Sequence, residues 1–321
     1  NVEAYILYAR GRSMFARADG KSVRRAIEYF KQAAAMDSAY AAPLVGLIDS
    51  YDLLENVEPG QYQIVGPGPS ELVQRARQID PDNGDVRIQW GAVSSRRCDD
   101  AGTEREIREA IRLSPGSSEI RRTYSIFLSG WGRHQEALEA SKEAARIDPT
   151  SPWVLAVLAN SYSLVGLHDS ALAVSENALE LDSTRWVSHA VRGMALALAE
   201  RAEEGIVRLE TARRLGGASH GLTTGLLGWA YAQAGRRQDA ERIAQLLGQR
   251  VARGEATRWH VAYVYAGLGE HEKAFEWLAK PPQPTDWKAA DNGFFQPMLE
   301  PLRSDPRFAE LAKRRWCQPD A

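Results

Sequence analysis

The chain has 321 residues, with 40 Lys and Arg against 42 Asp and Glu and a net charge of −2 at pH 7. This near-balance gives no electrostatic attraction for a nucleic-acid backbone or an anionic membrane, so neither is an expected partner. The 44% of hydrophobic and 26% of charged residues are typical of a folded globular chain and exclude a disordered one.

The first 84 residues carry helical-hairpin patterns. Ala26, Phe30 and Ala33 fit the second helix of one hairpin, and the first helix of the next hairpin begins near Leu44. A Gly- and Pro-rich insertion, residues 55–70, follows within the second repeat. Because an insertion between paired helices can loop out, it leaves the predicted packing intact.

From Asp85 onward the pattern repeats every 34 residues, with one inserted residue before Gly228. Small residues recur in three columns: Gly91, Ser125, Ala159, Gly193, Gly228 and Ala262; Thr103, Ala137, Ala171, Gly205, Ala240 and Ala274; and Ala110, Ala144, Ala178 and Ala212. Two helices approach to about 8–10 Å only where the residues in contact are small. The columns therefore predict where the helices of each hairpin cross.

Turn signals separate these helices. One glycine column, interrupted by Glu200, marks the turn inside the hairpins: Gly132, Gly166, Gly235 and Gly269. Glycine there can adopt the left-handed conformation that ends a helix. Asp80-Pro81, Ser114-Pro115 and Asp148-Pro149 close successive repeats, since proline cannot continue a helix.

The arrangement resembles the tetratricopeptide repeat (TPR), and the best match is Leu155, Leu158, Ala159, Tyr162, Gly166, Ala171 and Ala178. The resemblance implies an all-α fold, a right-handed superhelix (an α-solenoid) of about eight helical hairpins over residues 1–280. Residues 281–321 leave the period and are predicted to cap the last repeat. Within them, Asp305-Pro306 predicts the start of a short helix over residues 307–315.

Motifs at both ends of the chain narrow the resemblance to one group of TPR proteins. The openings at Glu3–Arg12 and 26–30, and the closing Pro301–Phe308, are similar to the boundaries of TPR regions in bacterial signalling proteins. In that family the TPR region follows a winged-helix regulator, a class III cyclase or a Ser/Thr kinase. The resemblance therefore implies an effector domain preceding Asn1, and it covers nearly the whole chain.

The sequence lacks the motifs of catalytic or metal chemistry. It has no phosphate-binding Gly-rich loop ending in Lys-Ser/Thr, and no G-x-S-x-G elbow. None of the six histidines stands three or four residues from another, the spacing that places two ligands on one helix face. We therefore expect a protein that is not an enzyme and that binds no metal and no cofactor.

The two cysteines and the uncharged stretches bear on location. Cys98 and Cys317 are isolated and predict neither a disulfide framework nor a cysteine-based metal site. Unpaired cysteines favour the cytoplasm, although a periplasmic domain behind a membrane anchor is left open. The uncharged stretches 149–167 and 215–235 contain too many polar or glycine residues to span a membrane.

The resemblance also implies a ligand site, because the first helix of each TPR pair lines a concave groove. Mapped onto this chain, the groove residues are Arg122, Trp153, Asn160, Met194, Trp229, Trp259 and Tyr263. Aromatic anchors of this kind suit a peptide or a partner helix. An equally weighted alternative is that the chain's own segment at 294–298 covers the aromatic residues, since a large exposed apolar patch is unusual in a monomer.

Three functions follow from these observations. The first is a non-catalytic protein-interaction or sensory module that binds a protein or peptide and regulates the linked effector domain. The second is self-association, in which a homodimer brings two effector domains together. The third, a small-molecule sensor or cryptic enzyme, rests only on the aromatic groove.

Overall fold

The computed structural model describes residues 1–17, 19–57, 63–217, 221–281, 296–312 and Cys317. These residues form helices and, within the same ranges, no β-strand. The chain divides into two compact units, residues 1–116 with 317–321, and residues 117–316. The predicted domain bounds, a solenoid over residues 1–280 and a cap over residues 281–321, stay predictions.

The first unit contains six helices: α1 (Val2–Phe15), α2 (Gly20–Met36), α3 (Ala42–Val57), α4 (Pro69–Ile79), α5 (Gly84–Arg96) and α6 (Asp100–Leu113). They pair as α1/α2, α3/α4 and α5/α6, and the first helices also contact one another, α1 with α3 and α3 with α5. The predicted insertion is shorter than residues 55–70, because α3 continues to Val57 and α4 begins at Pro69.

The second unit continues the alternation: α7 (Ser118–Gly130), α8 (His134–Ile147), α9 (Pro152–Leu164), α10 (His168–Leu181), α11 (Trp186–Leu198), α12 (Ala202–Ala212), α13 (Gly221–Gln233), α14 (Arg237–Ala252), α15 (Arg258–Gly267) and α16 (His271–Leu278). Five further pairs result, so α1–α16 make eight hairpins, as predicted. A π-helical turn, Arg213–Gly217, ends α12, and Gly216 within it has φ 124°.

The small-residue columns lie where the two helices of a hairpin cross. In α11/α12 a Cβ atom added to Gly205 would stand 2.7 Å from the carbonyl oxygen of Gly193, and one added to Gly193 would stand 2.9 Å from that of Gly205. Ala137 and Ala171, at the column position of Gly205 in earlier repeats, are fully buried. Close backbone approach is therefore the reason that these positions stay small.

The turn position is left-handed in every hairpin from α5/α6 onward. Its four glycines have φ between 73° and 77°: Gly132, Gly166, Gly235 and Gly269. Two other residues adopt the same conformation at this position, Cys98 with φ 59° and Glu200 with φ 61°. Glu200 stands where four other hairpins have glycine, and it nevertheless keeps the left-handed turn. This conformation costs about 1–2 kcal/mol for a residue with a Cβ atom.

The described part of the tail packs on the last hairpin of its unit. A 3₁₀ helix, Pro297–Leu302, contacts α15, and the short helix α17, Pro306–Ala312, contacts α16. Met298, Leu299 and Leu302 are buried in the same apolar cluster as α15. Asp305 accepts a hydrogen bond from the Arg307 amide at 2.9 Å. Helix α17 begins at Pro306, one residue before the predicted start at residue 307. Residues 313–315 of that prediction lie outside the described residues.

The cysteines correct the sequence-based prediction. Cys98 and Cys317 form a disulfide with a Cα–Cα distance of 5.5 Å, so neither is free. Both belong to the first unit as the contacts divide the chain. The prediction of two isolated cysteines was wrong because 219 residues separate the partners, and no local spacing marks such a pair.

Among the described helices, none combines the length and the apolar character needed to cross a bilayer.

Candidate functional site

The predicted groove residues lie on one row of helices in the second unit. The first helices of its five hairpins, α7, α9, α11, α13 and α15, each contact the next along the row. We call the residues at the predicted groove positions of this row the first-helix face: Arg122, Trp153, Asn160, Met194, Trp229, Trp259 and Tyr263. Because neighbouring helices touch, these positions belong to one continuous layer.

The beginning of the first-helix face is half-exposed. Arg122 on α7 and Trp153 and Asn160 on α9 are neither buried nor fully open to solvent. The Nε atom of Arg122 donates to Glu119 at 2.9 Å, which fixes the guanidinium along α7. The Arg185 guanidinium lies 5.9 Å from the Trp153 ring centroid, within cation–π range. This part combines an aromatic ring, an amide and two paired charges, and it is partly open to solvent.

The rest of the first-helix face is core. Met194, Trp229, Trp259 and Tyr263 are each at most 6% exposed. A Cβ atom on Gly267 would stand 2.7 Å from Cδ1 of Trp229, so this indole fills the space between α13 and α15. These four side chains cannot anchor a peptide while they pack in this way. The expectation of an open aromatic groove at these positions is corrected accordingly: aromatic side chains large enough to anchor a ligand also fill the layer between adjacent first helices.

The tail contributes to covering the aromatic residues. Trp259 and Tyr263 belong to the apolar cluster that contains Met298, Leu299 and Leu302 of the 3₁₀ helix. Burial raises the pKa of the Tyr263 hydroxyl far above its usual range, which keeps it neutral. This favours the alternative in which the chain covers its own aromatic residues. The first two residues of the segment 294–298, which the sequence suggests for that role, lie outside the described residues.

Sequence reasoning missed Arg258, which is 2% exposed at the start of α15. Its Nη1 donates to the Leu278 carbonyl at 3.1 Å and also to the Lys280 carbonyl, at the end of α16. The guanidinium carbon lies 4.8 Å from the Trp259 ring centroid. A cation at a helix C-terminus is favourable because unpaired carbonyls carry partial negative charge. In the sequence, the available sign of this role was the position of Arg258 directly before the mostly apolar run 259–266.

Two ionisable side chains of this unit, Tyr231 and His189, are buried. Tyr231 donates to Glu210 at 2.8 Å, and burial together with this bond raises the pKa of Tyr231 to about 12. Burial lowers the pKa of His189, whose ring contacts the Ser183 carbonyl at 3.0 Å. Over the described ranges, no three His, Cys, Asp or Glu side chains converge in a way that could hold a metal ion.

Similar solved structures define the class to which the fold belongs. The crystal structure of the APC/C hetero-tetramer Cut9–Hcn1 matches 96% of this chain and 55% of that chain, with 14% identity and a TM-score of 0.67. Human IFIT1, solved as a dimer with m7Gppp-AAAA, matches 86% of this chain and 76% of that chain, with 16% identity and a TM-score of 0.55. At these identities the likeness concerns the fold alone, and that fold is the TPR solenoid. No family model matches the sequence, and no curated protein does.

Proposed function

We propose that this chain is a non-catalytic protein-interaction module whose partner, a peptide or a protein surface, contacts the half-exposed part of the first-helix face. The observation that carries the proposal is the position of Trp153 and Asn160 on α9, half-exposed beside the Arg122–Glu119 pair of α7. Tryptophan and arginine supply a large share of the energy in protein interfaces. The proposed site is therefore α7 and α9, and it leaves out the buried aromatic residues of α13 and α15.

The finer role is regulation of a linked bacterial signalling effector. It is supported by the similarity of both chain ends to TPR regions that follow such domains. Paired helices suit this role, because binding to elements that are already folded costs less ordering entropy than binding to a flexible segment. Partner binding on α7 and α9 would then be the input that the effector senses.

A displayed library of random 16-residue peptides, selected on the intact chain, supplies probes for the site. Calorimetric titration of an enriched peptide should show at least tenfold weaker binding to Trp153→Ala, since a hot-spot side chain contributes about 2 kcal/mol or more. Trp277→Ala is the matched control, because Trp277 is half-buried on α16, a second helix. Equal affinities for wild type and Trp153→Ala, or an equal loss in Trp277→Ala, would contradict the proposed site.

The second candidate function is self-association that brings two effector domains together. Three apolar residues on one side of α1 favour it: Val2, Tyr5 and Ile6 are 75%, 61% and 45% exposed. Their i, i+3, i+4 spacing makes a continuous stripe, the pattern by which one helix packs on another. The proposed occupant of this stripe is α1 of a second copy.

Sedimentation of the intact chain between 1 and 200 μM tests self-association. A dimer that forms through α1 should dissociate at least tenfold more readily in Ile6→Glu, because a charge would be buried in an apolar contact. Val207→Glu is the matched control, since Val207 is also an exposed apolar residue but lies on α12, outside the α1 stripe. A monomer at all concentrations, or equal weakening by both variants, would rule out association through α1.

A further inference from the structure

We propose that the Cys98–Cys317 disulfide is a constitutive covalent closure of this chain, formed by a disulfide-carrying oxidant, and that the protein works in an oxidising compartment. The proposal goes beyond the interaction function and is independent of it. It rests on the backbone conformation at Cys98, on the surroundings of that turn position and on the distance between the two cysteines.

Cys98 occupies the turn position that is glycine in four other hairpins. Its φ of 59° places it in the left-handed region, which a residue with a Cβ atom adopts only at a cost. A Cβ atom added at Gly166, Gly235 or Gly269 would meet no atom within 4 Å. A side chain at this position therefore projects away from its hairpin and is not needed for the packing of α5 on α6.

A side chain that points away from its own hairpin can bond to a distant segment of the chain. The Cα atoms of Cys98 and Cys317 are 5.5 Å apart, inside the range that a disulfide bridges without movement of the backbone. Cys98 is half-buried and Cys317 is exposed. The sulfur atoms therefore form their bond where a small thiol or a redox protein can approach them.

Formation of the bond is a two-electron oxidation. The thiolate of one cysteine attacks a disulfide of the oxidant, which is a thiol–disulfide oxidoreductase or glutathione disulfide, and one thiol leaves. The second cysteine then attacks the mixed disulfide, which forms the Cys98–Cys317 bond and releases the second thiol. In total, two cysteine thiols lose two electrons and two protons, and the oxidant gains them as two thiols.

The exposure of Cys317 links this bond to a compartment. Cytosolic thiol systems keep accessible pairs reduced, whereas secreted, periplasmic and cell-surface proteins retain their disulfides. The cytoplasmic location was predicted from unpaired cysteines, but the two cysteines are paired. That argument for the cytoplasm therefore no longer holds. Of the two locations left open from the sequence, the bond favours the periplasm or another oxidising space.

The test compares the intact chain purified from a bacterial periplasm and from a reducing cytosol. We expect no alkylated cysteine in the periplasmic protein without reductant and two after reduction, and a non-reducing peptide map that joins the Cys98 peptide to the Cys317 peptide. Cys317→Ser from the periplasm should have one alkylated cysteine. Two free thiols in the periplasmic wild type would overturn the proposal.

Thermal unfolding separates the bond from the backbone conformation. Reductant should lower the Tm of the wild type by about 5 °C or more, because it releases a long closed loop. Cys98→Gly should melt below the wild type without reductant and above it with reductant, since glycine loses the bond but removes the cost of the left-handed turn. A Tm of the wild type that reductant does not change would show that the bond is not a constitutive closure.

Discussion

Replacement of Trp259 by alanine is expected to lower the free energy of unfolding by about 3–5 kcal/mol, the usual cost of removing a buried indole. Trp259 is fully buried in α15, where it packs under the Arg258 guanidinium and in the apolar cluster that includes the tail residue Met298. The truncation leaves a cavity that the two helices of this hairpin cannot close without moving. Denaturant unfolding followed by circular dichroism measures the change.

Trp153→Ala is the control for this experiment, because Trp153 is half-exposed on α9. We expect a loss of less than about half as much, since Trp153 keeps part of its surface in water in the folded state and Trp259 keeps none. An unchanged midpoint in Trp259→Ala would mean that the indole is not part of the core, and the open-groove interpretation of Trp259 would then return.

The second large effect is expected for Gly205→Val, at about 3 kcal/mol of destabilisation, the upper end of the range for overpacking. The added Cβ atom would stand 2.7 Å from the Gly193 carbonyl oxygen and 3.2 Å from the Ala197 amide nitrogen. Both neighbours are backbone atoms of α11, so no rotamer change relieves the clash. The α11/α12 hairpin must open, which also weakens the contacts of Leu209.

Ala173→Val controls for the helix propensity of valine, because Ala173 is exposed on α10. Its expected cost is below about 1 kcal/mol, the propensity difference alone. The comparison uses the denaturation midpoint of each variant with the m-value as a check on compactness. Equal stability of Gly205→Val and the wild type would contradict the close approach of α11 and α12.

The repeat was predictable because its determinants are local. Gly205 and Gly193 are small for contacts within one hairpin, and the turn glycines adopt a conformation that their own type permits. The candidate site was predictable only by position. The register of Trp153 and Trp259 on their first helices came from the repeat, but the period contains no information on which of the two is buried.

Arg258 shows the same limit. Its partners, the carbonyl oxygens of Leu278 and Lys280, lie 20 and 22 residues away at the end of α16. No pattern in the sequence distinguishes such a cation from a solvated one, because burial depends on how the last hairpin closes. Arginine in the first turn of a helix is otherwise unfavourable, which is why its role was not expected.

The amino-acid sequence by itself determined the hairpins, their crossing points and their turns, since small residues and left-handed glycines act over distances of one repeat. Tertiary structure alone decided that the tail residues Met298 and Leu299 share a core with Trp259, and that Cys98 bonds to Cys317. These contacts join segments that are far apart in the chain, and a pattern that repeats over one hairpin contains no information about them.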